Sequence, residues 1–453
     1  MIQSMNLKKV LVISLILMAF TAGMNAQDTL TLSLDEAKKM ALKNNFELRN
    51  SLNDIETARY KVKETVATGF PQVDATINYM DNIGLPVQLV PGDFFGEPGK
   101  DIEVQFGTKY SSSAGATVNQ LIFSGSYIVG LQAAKAYLEQ SQKNYQKSRI
   151  EVIRTVSEAY FLVLATEETI EVLDSTLAIT KKLAQQTEII VASGFQEETD
   201  ADQLNLLVSD LETARNNAID QLSIARSLLR FHLGMKDNQR LVLLNEDIDR
   251  MIELAAPESF ISKPFDLNNN IDFRILKNQQ DLALLQVKLE KSAYLPNISA
   301  FLNYQTQAQR QNWDFFDAKG KWYSSSMLGV TMNIPLFSSG ERYAKVRQAQ
   351  FQFEKTRVAE EQVGTQLKLQ YETSQSELKN ALLTYHNTIK NRSVAEKIFL
   401  RTGIKYTEGI VSSLEYLNAH NQYLNAQSQY INASLNLLNK TASLESLLTS
   451  IYE

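Results

Sequence analysis

Acidic side chains gather where the chain turns at glycine. Glu197, Glu198, Asp200 and Asp202 follow Gly194, and Glu415 follows Gly409. Carboxylates in such a row would build a negative field if several copies met at an axis, and a narrow pore of that kind draws cations. The same residues also suit helix starts. Negative charge near a helix N-terminus is favoured by the aligned peptide dipoles, and Ser412 with Glu415 three places on has the spacing of a capping box. No reaction chemistry competes with these two readings. His232, His386 and His420 stand alone, without a second histidine or a carboxylate at metal-ligand spacing. No G-x-x-x-x-G-K-[ST] phosphate loop occurs, and no Ser, His and acid arrangement stands out. The chain is expected to be no enzyme and to use no metal or cofactor.

Composition narrows the class. A net charge of -6 over 453 residues, with both signs interspersed, leaves no basic stripe for nucleic acid. The absence of cysteine excludes disulfides, thiolate metal sites and cysteine nucleophiles, and predicts no N-terminal lipid. Lys8-Lys9, the apolar run from Val10 to Ala22 and a cut after Ala26 predict an export signal over 1–26. No later stretch reaches 18 consecutive apolar residues, so no membrane-spanning helix is expected after it.

The elements that position the glycine turns occur twice. Phe70-Pro71-Gln72-Val73-Asp74-Ala75-Thr76-Ile77-Asn78-Tyr79 returns as Leu295-Pro296-Asn297-Ile298-Ser299-Ala300-Phe301-Leu302-Asn303-Tyr304. Thr117 to Gly125 returns as Thr331 to Gly340, and Ser193-Gly194 as Glu408-Gly409. Each half reads as helix, strand, loop, strand, very long helix, Gly turn, helix. This predicts a first repeat at 27–233 (strands about 72–81 and 113–123, long helix about 126–192), an intervening segment at 234–270 folded against the helices, and a second repeat at 271–453 (strands about 297–306 and 325–336, long helix about 341–408).

Behind Pro71, Val73, Ala75, Ile77 and Tyr79 alternate with Asp74, Thr76 and Asn78; behind Pro296 the alternation repeats apart from Phe301. Period two marks a strand with one apolar face, and roughly ten residues is the length a tilted strand needs to cross a bilayer. A soluble half-buried sheet is the plainer reading of each strand alone. Export and aromatic residues at the strand ends favour the membrane. Four strands cannot close a barrel, so closure needs two copies for eight strands or three for twelve. Trp313 and Trp322 fall in the second loop with Phe315 and Phe316, as interface anchors or a surface patch.

No proline interrupts Ser126 to Ala192 or Arg342 to Glu408, and core positions step by three and four, with one departure near Ala159. Such helices would each be about 100 Å long at 1.5 Å per residue. Many seam positions are Ala, Ser or Thr, which suits one wall of a hollow helical cylinder better than a solid bundle.

The duplicated half, the proline before each first strand, Ile334-Pro335-Leu336-Phe337-Ser338-Ser339-Gly340 and the turn Tyr406-Thr407-Glu408-Gly409-Ile410-Val411-Ser412-Ser413-Leu414-Glu415 resemble the outer-membrane efflux proteins of the TolC type, over Leu34 to Leu448. The resemblance implies a mainly α fold with a β-barrel portion: long antiparallel coiled-coil helices forming an α-barrel, and four strands per protomer closed as a twelve-stranded barrel in a homotrimer. It implies an outer-membrane exit duct of a Gram-negative bacterium, extending into the periplasm, passive and gated at its periplasmic tip. The implied partners are outer-membrane lipid, a periplasmic adaptor (membrane fusion) protein and an inner-membrane pump of RND or ABC type. Carried over by position, the gate comprises Asp200, Gln203, Tyr406, Glu415 and Asn418, the tip turns are Gly194 and Gly409, and the helix–strand junctions are Pro71, Pro296 and Pro335. Val411 stands where some members have a basic residue. An exported coiled-coil scaffold without a pore is the alternative, and the alternating strands at matching points in each half speak against it.

Overall fold

The computed structural model describes residues 29–449 except 95, 97, 236–239, 245, 246 and 318; the predicted export signal lies outside them. In chain order the helices are α1 (Leu34–Asn44), α2 (Phe46–Ala67), α3 (Gly125–Ala192), α4 (Glu198–Leu233), α5 (Ile248–Ala255), α6 (Pro257–Ile261), α7 (Ile271–Ser292), α8 (Glu341–Thr407) and α9 (Ser413–Leu448). The strands are β1 (Thr29–Leu32), β2 (Gln72–Asp81), β3 (Val87–Pro91), β4 (Asp101–Gln105), β5 (Tyr110–Phe123), β6 (Arg240–Leu243), β7 (Asn297–Arg310) and β8 (Tyr323–Asn333). They fall into two compact units, each drawn from both halves of the chain.

One unit, 54–142 with 275–361, carries the antiparallel sheet β2-β5-β7-β8. Its register places Val73, Val118, Leu302 and Leu328 in one row, and Asp74, Thr117, Asn303 and Met327 in the next. Because side chains alternate across a sheet, the first row and every second row from it form an apolar face, and the rows between them, starting with the second, a polar one. Asn303 Nδ2 donates to Thr117 Oγ1 at 2.7 Å across the polar face. Phe301, the residue that breaks the alternation, lies opposite Gly329. A Cβ at Gly329 would come within 2.6 Å of the Phe301 ring, so the aromatic ring covers the bare backbone there. Pro71 and Pro296 stand immediately before β2 and β7, where a missing N–H costs the ladder nothing. The Pro335 carbonyl accepts from Arg342 Nη1 at 2.8 Å, tying the exit of β8 to the start of α8. Between β2 and β5, where the sequence shows only a loop, β3 and β4 pair as a short hairpin.

The other unit, 29–53 with 143–274 and 362–449, holds the largest core. Around Ala159 the helix α3 is buried on nearly all sides, at Ala159, Tyr160, Phe161, Val163, Leu164 and Ala165. This explains the departure from the heptad stepping. A seam touches one neighbour, whereas here α3 is packed on nearly every side, with Leu162 left exposed. The segment 234–270 supplies part of that packing. Its strand β6 pairs in parallel with β1, and Ile248, Met251 and Ile252 of α5 join the core. Asp249 fastens α5 further, because its Oδ1 accepts from Tyr385 Oη at 2.7 Å on α8 and from Tyr430 Oη at 2.5 Å on α9. The Arg392 guanidinium lies 4.1 Å over the Tyr430 ring.

Antiparallel register between α3 and α4 is marked by Arg226–Glu167 at 2.6 Å, Lys181–Glu212 at 2.5 Å, the pair Arg215–Asp174 and Asn205 Nδ2 to Glu188 at 2.9 Å. Exposed ion pairs contribute about 0–1 kcal/mol each, so they set register more than stability. Among the described residues no helix is long and apolar enough to cross a membrane.

Candidate functional site at the helix turns

Both glycine turns close in the same way. After α3, Gly194 adopts φ +76°, its N–H donates to Val191 O at 2.8 Å, and Phe195 N–H reaches back to Ile190 O at 3.1 Å. After α8, Gly409 adopts φ +72°, its N–H donates to Tyr406 O at 3.0 Å, and Ile410 N–H to Lys405 O at 2.8 Å. This left-handed cap favours glycine and turns each long helix into its partner.

Within this frame the structure brings Asp200 and Gln203, at the start of α4, onto Ser413, at the start of α9. Ser413 is buried, and its Oγ makes a very short contact with Asp200 Oδ1 and lies 2.9 Å from Gln203 Oε1. One hydroxyl has one proton to give. The carboxylate takes it, and Gln203 completes the triangle once its amide is turned so that NH2 faces Ser413. One turn further along, Tyr406 is 3% exposed and its Oη lies 3.2 Å from Thr187 Oγ1 on α3. Burial pushes the Tyr406 phenol up, the Thr187 contact acts against that, and the Asp200 charge adds to it. The first and second halves are thus tied twice at their turns.

Glu415 and Asn418 stay apart from these contacts. Both are exposed on α9. The Ser412 side chain accepts from Glu415 N–H at 3.3 Å, which is one arm of the expected capping box. At Ser33–Glu36 on α1, by contrast, both arms form. The acidic group Glu197, Glu198 and Asp202 is exposed as well.

Beneath the ties Tyr406 joins an aromatic stack whose other members, Tyr416, Phe399 and Tyr423, the sequence reading did not name. Tyr416 packs on Tyr406 with ring centroids 5.6 Å apart and on Phe399 at 5.7 Å, and Phe399 stacks on Tyr423 at 5.1 Å. Tyr416 is 1% exposed with its hydroxyl unpartnered, and burial pushes that phenol up to about 12. His420, one turn on, is fully buried with both ring nitrogens unpartnered, and burial lowers its pKa to about 4. His232 is half-buried and lowered by that burial, while His386 is exposed. Among the described residues no group of three or more His, Cys, Asp or Glu could hold a metal. Alongside Tyr406 and Tyr416, a cavity of about 710 Å³ opens between α3 and α8, with Ile179 and Ile189 on one rim and Leu400 and Ile404 on the other.

Ser413 and Thr187 are the contacts that sequence reasoning missed. A serine at the first position of a helix reads as solvent-facing, and only the neighbouring Ser412 gave a capping signal.

The sequence pattern described as "outer membrane efflux protein" matches residues 38–235 and 266–450. The chain belongs to this family. A curated relative, the outer membrane protein TolC of Vibrio cholerae, is 22% identical over 245 residues, covering 53% of this chain and 54% of that protein, so the match spans about half the relative's length. Among solved structures, CusC is similar with a TM-score of 0.72 at 15% identity, covering 93% of each chain. The outer membrane channel CmeC of Campylobacter jejuni gives 0.70 at 17%, covering 95% of this chain and 92% of that one. The open-state outer membrane channel MtrE of Neisseria gonorrhoeae gives 0.66 at 18%, covering 92% and 88%. Family members of this fold combine long antiparallel helix pairs with a four-stranded sheet, as found here.

Proposed function

We propose that this chain is the outer-membrane exit duct of a tripartite efflux or type I secretion assembly, a passive channel of three copies gated at its periplasmic tip. The observation that carries the reading is the four-stranded sheet. One face is apolar and exposed, the other polar, and β2 and β8 each have a partner on one side only. Within a bilayer an unpaired strand edge is not tolerated, so β2 of one copy must pair with β8 of the next until the sheet closes. Three copies close it with twelve strands, in line with the family resemblance.

The tip turns then meet near a common axis. Asp200, Gln203 and Ser413 hold each copy's two halves together, as does Tyr406 through Thr187, and the exposed Glu415 and Asn418 are left to face the pore. The carboxylates give that opening a cation preference. An inner-membrane pump of RND or ABC type supplies the energy. A periplasmic adaptor joins pump to duct, and the apolar groove between α3 and α8 offers the facing surface that a helix-in-groove contact needs.

The absence of cysteine allows a direct test. Cysteine pairs, one in β2 and one in β8 of the same chain, scanned over the possible registers, should link copies into a closed ladder ending at three on oxidation. Crosslinks that stop at two, or none at any register, contradict closure by three.

A further inference from the structure

We propose that Asp74 sets the charge preference of the barrel lumen, as a second filter separate from the tip carboxylates. This rests on the exit-duct reading. Only three ionisable acidic or basic side chains occur in β2, β5, β7 and β8: Asp74, Asp81 and Arg310. Asp81 and Arg310 occupy the last row of the sheet, on either side of Tyr110, and share the side of Val73 and Leu302. Arg310 is also engaged by Asp314 at 3.2 Å. Asp74 alone lies on the polar face. Its row continues through Thr117, Asn303 and Met327, and no lysine or arginine of the four strands shares that face.

The opposite face presents Val73, Ile77, Leu302, Leu328 and Val330, all exposed in the single chain, and these must meet lipid. Asp74 therefore points into water, inside the ring. It is the third residue of β2, close to the Pro71 junction where strand meets helix. Aspartate is disfavoured in strands, so it contributes nothing to the sheet that a Thr or Asn would not. Three symmetric copies place three carboxylates at one level of a wall whose other side chains on that face are neutral. A low-dielectric wall focuses such a field along the pore. Screening limits its reach, from about 30 Å at 0.01 M salt to about 3 Å at 1 M. The preference should accordingly be strong in dilute salt and vanish in concentrated salt.

The test is the reversal potential under a KCl gradient, recorded from single channels of the full-length protein carrying Glu197→Gln, Glu198→Gln, Asp200→Ala, Asp202→Asn and Glu415→Ala, so that these tip carboxylates are removed. That channel should remain cation-preferring at low salt. Adding Asp74→Asn should move the reversal potential towards zero, and Asp74→Lys should invert its sign, with oligomer mass unchanged. An ion preference that ignores both Asp74 substitutions overturns this assignment alone. No current from the parent channel overturns the exit-duct reading and this filter with it.

Discussion

Ser413 is one of two side chains that tie the halves together at the turns, through one hydroxyl shared between Asp200 and Gln203. A net hydrogen bond contributes about 1 kcal/mol, more to a charged partner, so its loss in three copies should shift the open-to-closed ratio by an order of magnitude or more. Ser413→Ala is expected to raise single-channel conductance; unchanged current from a folded oligomer would show that the contact is only structural. His420 makes a different prediction. Its buried imidazole has a pKa of about 4, below the ordinary 6.5, so between those values the unfolded chain binds more protons than the folded one. Stability contributed by the neutral ring is complete above pH 6.5 and is lost as pH falls towards 4, a difference on the order of 3 kcal/mol per copy. Thermal unfolding followed across that window should show the loss in the wild type and a flatter profile in His420→Phe. Parallel profiles for the two proteins would place the acid sensitivity elsewhere. These residues were silent in the sequence, because a lone histidine or a second serine acquires meaning only from what packs on it.

At the scale of elements, the glycine turns and the strands were legible from local pattern. Gly194 and Gly409 follow long proline-free runs, and period-two alternation at Val73 to Tyr79 marks a strand with one apolar face whatever lies beyond it. Phe301 looked like an error in that pattern and proved to be the cover for Gly329, two strands' worth of sequence away. What stayed hidden was pairing over long separations by short segments. β1 and β6 have four residues each and lie in parallel, and nothing in Thr29–Leu32 points to Arg240–Leu243. The clamp on α5 is of the same kind, since Asp249 finds Tyr385 and Tyr430 only after α8 and α9 come together. Asp249→Ala would strand two largely buried phenols at a cost of about 2–5 kcal/mol in total. Hydrogen exchange should then show α5 opening well before the rest of its core. If α5 stays as protected as in the wild type, hydrophobic packing alone holds it.

For the whole molecule, the proposed exit duct needs a sheet with two open edges and a tip tied by few contacts to work as one closed assembly. The family assignment, the register of β2-β5-β7-β8 and the ties at Ser413 and Tyr406 all bear on that claim from different sides. It also predicts a heat-resistant oligomer in detergent, because every strand edge is satisfied only in the closed ring. The most direct test is single-channel recording of the purified full-length protein in a planar bilayer, after its oligomer mass has been measured. A trimer with small cation-selective currents that grow when Asp200 and Glu415 are both replaced by alanine is the expected result. A stable monomer that neither inserts nor conducts would contradict it.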